Sequence, residues 1–164
     1  PSFQNALVQN IAGGHTMIMN KAARAALQKV SHIDVPFHDW WFYLCVSGFG
    51  GKVQFDERAL AKYRQHGGNL VGLNSSIFAK FSRFLRLLKG DYAKHYAQNN
   101  AALNQIKDLF PIGNQKIFEQ FQGAWERKLF SRIVNMLELG VYAQRKVKAL
   151  AFWGTVALGK FKGD

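Results

Sequence analysis

Three short segments hold the side chains with the greatest chemical capacity. In Phe37-His38-Asp39-Trp40-Trp41 an acid opens a predominantly apolar stretch. A carboxylate at a helix N-terminus is kept ionised by backbone N–H groups and the helix dipole, and an aromatic wall restricts water beside it. Asp39 can then act as a general base. Its alternative role is to cap the helix while the tryptophans fill the core. In Tyr63-Arg64-Gln65-His66-Gly67-Gly68-Asn69 a guanidinium and an imidazole stand beside a Gly pair. Arginine meets phosphate oxygens as a fork, histidine binds a metal or a phosphate, and glycines let a ligand approach the backbone. That set suits a diphosphate, although the same residues also serve as plain surface residues before a turn. Ala12-Gly13-Gly14-His15-Thr16 reads either as a loop lying against a substrate or as a tight turn.

Other chemistries find less support. Gly48-Phe49-Gly50-Gly51 lacks the remainder of a P-loop, and no G-x-G-x-x-G occurs. Cys45 stands among apolar residues and reads as an inert core thiol. His32 and His95 have no partner discernible from sequence and are taken as surface residues.

The elements expected to position these groups are of two kinds. Thr16 to Asn20 is a short apolar run after the Gly pair and reads as a strand, followed by a helix over Lys21 to Val30, which is rich in Ala, Leu and Gln. Pro36 suits a first helical turn, so a helix is expected from Pro36 or His38 to Gly48, apolar nearly all round and buried. Lys52 to Asp56 and Leu60 to Arg64 alternate apolar and polar residues and predict two further strands.

From Ser75 the period becomes helical, with Ile77, Phe78, Phe81, Phe84, Leu85 and Leu88 on one arc. Helices are expected over Tyr92 to Leu109, Gln115 to Glu138 and Gln144 to Gly159, with a break near Gly123 or Ser131. Pro111-Ile112-Gly113-Asn114 reads as a loop between them. The expectation is an α+β fold, predominantly α: a partial sheet of a few short strands within residues 1–74, then a helical region over 75–164.

Composition narrows the class. The 164 residues are 48% hydrophobic and 20% charged, as expected of a globular chain with its own core rather than a disordered one. The single cysteine excludes an internal disulfide and suits a reducing compartment, so the cytoplasm is the expected location. Twenty-two basic and ten acidic side chains give +12, of which +3 falls in residues 1–74 and +9 in 75–164.

Taken in order, the glycine turn, the acid on an aromatic helix and the Tyr-Arg-x-His strand end resemble the C-terminal half of a bacterial family-two glycosyltransferase. That family has the GT-A fold, and the likeness is to its rhamnosyltransferase-like kind, which builds cell-surface polysaccharide. The likeness is carried by Gly13-Gly14-His15-Thr16-Met17, His38-Asp39-Trp40-Trp41 and Tyr63 to Asn69, and covers roughly residues 5 to 74. The sheet within residues 1–74 would then be part of the GT-A catalytic domain on its acceptor side, and 75–164 a basic extension.

The resemblance implies roles residue by residue. Asp39 would be the base that deprotonates the acceptor hydroxyl as it attacks the anomeric carbon of a nucleotide-diphosphate sugar, with inversion. His38 replaces the Glu that usually precedes this acid, and is grouped with the substrate-binding residues. Gly13, Gly14 and His15 would form the loop at the acceptor and donor sugar, and Trp40 and Trp41 would shape the acceptor face by stacking on sugar rings, with one of the two in the core. Arg64 and His66 would meet the diphosphate, with His66 also reaching a divalent Mg or Mn ion expected in the full-length enzyme. The nucleotide-binding half and its D-x-D motif are missing, and Pro1 stands where an initiator Met would. The expectation is thus a fragment with little activity of its own and exposed sheet edges that favour self-association.

Two partner classes compete for the basic helices. Lys80, Arg83, Arg86 and Lys89, and the Arg145, Lys146, Lys148, Lys160 and Lys162 that flank the apolar run from Ala149, fit helices lying in the headgroup layer of an anionic bilayer, with Phe152 and Trp153 dipping in. That would serve a lipid-linked acceptor at the inner face of the plasma membrane. Packing into a bundle with solvated charges is the alternative. A nucleic-acid-binding or non-catalytic interaction module is the rival function. Nucleic acid is disfavoured, because the basic residues scatter over several helices and no recognition motif appears.

Overall fold

The computed structural model describes residues 1–58, 91–144 and 146–159. Among them lie seven α-helices: α1 Phe3–Val8, α2 Lys21–Gln28, α3 His38–Gly48, α4 Asp91–Asn104, α5 Ile112–Ala124, α6 Leu129–Glu138 and α7 Lys146–Leu158. Two 3-10 turns, Gly14–Thr16 and Lys107–Leu109, complete the described elements.

The expected α+β class is overturned: the described residues contain no strand and no sheet. Thr16 to Asn20 holds the end of a 3-10 turn and a loop in which Ile18 is fully exposed and Met19 is 41% exposed. An apolar run becomes a strand only where a neighbouring strand takes its backbone hydrogen bonds, and none lies there among the described residues. Lys52 to Asp56 is irregular for the same reason. It ends in a local turn where the Arg58 guanidinium donates to both Asp56 carboxylate oxygens at 2.6 to 3.1 Å. Those bonds hold the Asp56 carboxyl below its usual range. The expected strand over Leu60 to Arg64 and the helix from Ser75 lie outside the described residues.

The buried helix α3 was expected and is observed, with Trp40, Trp41, Tyr43, Leu44 and Cys45 all in the core. Its end explains Gly50-Gly51. Gly50 has φ +81°, its N–H donates to Ser47 O at 3.1 Å, and Gly51 N–H donates to Val46 O at 2.8 Å. This is a Schellman closure. A Cβ at Gly51 would lie 2.7 Å from Val46 O, so a side chain is excluded there too.

Helix α1 did not stand out in the sequence, and its stability comes from elsewhere in the chain. Six residues are too few to hold a helix in water. Ser2 Oγ caps it by accepting from Asn5 N at 3.1 Å. At its other end Trp40 Nε1 donates to Ala6 O at 2.8 Å and the Tyr96 hydroxyl donates to Val8 O. Asn5, fully buried, donates to Tyr142 O at 2.9 Å and accepts from the Tyr43 hydroxyl at 2.8 Å. Gln144 N donates to Gln9 Oε1 at 3.0 Å. One apolar core thus runs from Phe3 to Val156 and joins both ends of the chain.

Burial pushes the Tyr43 hydroxyl up to about 12, against a small opposing contribution from the Ser2 N–H that donates to it. The unfolded chain releases this proton near pH 10 while the folded chain keeps it, so the stability it contributes is complete below pH 10 and is lost toward pH 12. Tyr43→Phe is expected to lower stability at neutral pH by about 1–3 kcal/mol, since Asn5 loses its partner. Its urea midpoint should then fall less steeply than wild type between those pH values. An equally steep fall would show that Tyr43 has no part in the alkaline transition.

Among the described residues the break expected near Gly123 or Ser131 falls at 125–128, between α5 and α6. Pro111 to Asn114, expected to be a loop, instead opens α5: Pro111 is the N-cap, where its missing N–H leaves no gap. Asn114 Nδ2 donates to Ser47 O and Gly48 O at 3.1 and 2.9 Å, tying this turn to the end of α3.

Candidate functional site

Two of the three sequence segments meet. The Gly14 backbone lies under the His38 ring, so that a Cβ at Gly14 would be 2.6 Å from His38 Nε2. Only glycine leaves room for that approach. The turn is closed locally, Thr16 N and Thr16 Oγ1 both donating to Gly13 O at 2.8 and 3.0 Å. Gly14 and His15 are exposed and Gly13 half-buried. His38 is exposed as well, with its ring edge-on to Phe42 at 5.9 Å.

Asp39 sits in the first turn of α3, half-buried, its Oδ1 accepting from Trp40 N at 2.7 Å. The second carboxylate oxygen has no hydrogen-bond partner among the described residues, and the group lies at the positive end of the helix dipole. One carboxylate, one imidazole and a glycine backbone therefore share the entrance to α3. Trp40 and Trp41, expected to stack on sugar rings, are 5% and 3% exposed and lie in the core, where Trp40 packs edge-on against Tyr96 at 5.0 Å. Arg64 and His66 lie outside the described residues.

A third element borders this entrance and was missed in the sequence. His95 on α4, expected at the surface, is half-buried with its ring 4.9 Å from that of Phe37, and its Nδ1 has no hydrogen-bond partner among the described residues. One turn further along, Asn99 is 3% exposed and neither atom of its amide has a partner there. The spacing of four residues that puts His95 and Asn99 on one helix face was present in the sequence, but nothing in the sequence put that face inward.

No group of three or more His, Cys, Asp or Glu among the described residues could hold a metal ion. His38 and Asp39 are fewer donors than a divalent cation takes, so no step is derived through one. Cys45 is fully buried, and burial pushes its thiol far above the ordinary range, so it stays protonated and inert as expected. A cleft of about 390 Å³ lies at the opposite end of α3, lined by Ser2, Ser47, Gly51, Lys52 and Asn114. It holds neither an acid nor an imidazole, and Asn114 there serves the closure of α3. No helix among the described residues is long and apolar enough to cross a membrane.

No family model matches the chain, and neither does any curated protein or solved structure.

Proposed function

We propose that the chain is the acceptor-side portion of an inverting glycosyltransferase. It would move a sugar from a nucleotide-diphosphate sugar to a sugar acceptor in cell-surface polysaccharide synthesis, on the cytoplasmic side of the membrane. The observation that carries this reading is the packing of His38 on the Gly14 backbone, which joins the glycine turn to the segment bearing Asp39. The reading rests on that contact and on the motifs alone, since the partial sheet that the resemblance implied is absent from the described residues.

In this scheme Asp39 accepts the proton of the acceptor hydroxyl. The acceptor oxygen forms its bond to the anomeric carbon while the nucleoside diphosphate leaves from the opposite face with the bonding electrons, and the configuration inverts. The Gly13-Gly14 backbone admits the sugar closely, and Arg64 and His66 offset the charge of the leaving group. The test is release of nucleoside diphosphate by the native gene product given a panel of nucleotide sugars with glycan acceptors. Acceptor-dependent release is expected, and its absence across the panel would overturn the reading.

A narrower prediction concerns Gly14. Gly14→Ala pushes the His38 ring aside, and because that ring is exposed it can move with little strain. The melting temperature should stay level or rise slightly, since the alanine also restricts the unfolded chain. Transfer should drop about tenfold or more, because small displacements of positioning groups are costly to catalysis. Equal loss of stability and activity would mean that the turn is only structural.

A further inference from the structure

Helices α6 and α7 form an antiparallel hairpin whose outward faces are apolar. The pairing direction follows from Arg132, early in α6, donating through Nη1 to Val156 O near the end of α7 at 2.9 Å. Its inner face is filled by Met136, Phe152 and Val156, so Phe152, expected to dip into lipid, is core instead. The outer faces carry Phe130 and Leu137 on α6, 79% and 61% exposed, and Leu150 and Leu158 on α7, 73% and 55% exposed. Residues seven and eight apart share a helix face, so each pair forms a stripe along its own helix. Apart from Lys146, Lys148 and Thr155, α7 is apolar throughout. A helix of that kind needs cover on both sides.

The charges around the stripes indicate what covers them. Lys128, just before α6, and Lys146, at the start of α7, are exposed, and in the antiparallel hairpin they stand at its two opposite ends. Arg127 adjoins the first, and the sequence adds Arg145 at the second and Lys160 and Lys162 after α7. The acids of this region are Glu126 and Glu138, one toward each end, and Asp164 after Lys162, and the basic residues outnumber them. Apolar stripes bracketed by cations complement a surface with an apolar interior and an anionic rim. An anionic lipid headgroup layer has that layout, and since neither helix is long and apolar enough to span a bilayer, the contact would lie in its plane.

We infer that the outer face of the α6–α7 hairpin docks on an anionic membrane surface, through Phe130, Leu137, Leu150 and Leu158 with Lys128 and Lys146 at its ends. This stands independently of the transfer reading, since it uses none of the residues around Asp39. The test is co-sedimentation of the 164-residue chain with vesicles of phosphatidylcholine, with and without about one third phosphatidylglycerol. Binding is expected only to the anionic vesicles and should weaken as salt is raised.

Each exposed lysine near the surface contributes about a fivefold change in affinity, so the double variant Lys128→Glu and Lys146→Glu should bind about 25-fold more weakly or worse. Leu150→Glu with Phe130→Glu should abolish binding while the far-ultraviolet circular dichroism is unchanged. No binding, equal binding to neutral vesicles, or binding indifferent to both variants would overturn the inference. So would a salt-insensitive dimer in light scattering that the Leu150→Glu and Phe130→Glu variant dissolves, which would give this face to a second copy of the chain.

Discussion

Replacing Asp39 by Asn in the native gene product is expected to lower kcat for sugar transfer by about 10²–10⁴-fold, the range typical of losing a positioned general base. Asparagine keeps the shape and can still accept the hydrogen bond that Asp39 Oδ1 takes from Trp40 N. The helix start should therefore survive, and the change in stability should stay near the 0.5–1 kcal/mol of a surface charge–dipole contact. That separation of large kinetic loss from small stability loss distinguishes a base from a cap. A cap would lose stability and leave transfer nearly intact. Asp39→Glu adds a test of placement, since the longer side chain keeps the carboxylate but moves it, and should recover only part of the rate.

The second large effect is on the core. Phe118→Ala in α5 should cost about 3–5 kcal/mol in urea unfolding, because the ring is fully buried and a core relaxes only partly around the cavity left behind. Against a total stability of about 5–15 kcal/mol for a domain, this approaches unfolding. Phe130→Ala, at a position 79% exposed, should by contrast change stability by no more than about 0.5 kcal/mol. Equal effects would mean that α5 and α6 do not bury the faces described.

What the sequence disclosed and what it hid follow from how far each interaction reaches along the chain. Helix α2 was legible because Lys21 to Gln28 is helix-prone over its whole length and Asn20 caps it, Oδ1 accepting from Ala23 N at 2.9 Å. Helix α3 was legible because an apolar segment after Pro36 has few other places to go. The strands expected over Thr16 to Asn20 and Lys52 to Asp56 failed because an apolar or alternating run records only a local pattern, whereas a strand needs a partner that local pattern does not supply. Helix α1 was hidden because the carbonyls at its C-terminal end are served by Trp40 and Tyr96, 34 and 88 residues away.

The candidate site divides in the same way. The types and order of Gly14, His38 and Asp39 were visible in the sequence, but the contact between Gly14 and His38 was not. His95 and Asn99 were passed over because a His and an Asn in a polar-looking stretch of α4 give no sign of facing inward. The two tryptophans beside Asp39 could be read as a sugar platform or as core, and the packing of α3 against α1 and α2 decides for the core.

The most direct test of the central claim is the stereochemistry of the product. The native gene product is incubated with the nucleotide sugar that supports turnover and an acceptor glycan, and the first-formed anomeric signal is read by proton NMR. A single displacement driven by Asp39 predicts a glycoside with the anomeric configuration opposite to the donor's, formed by wild type and not by Asp39→Asn. A retained configuration, or the same product at the same rate from the variant, would contradict it.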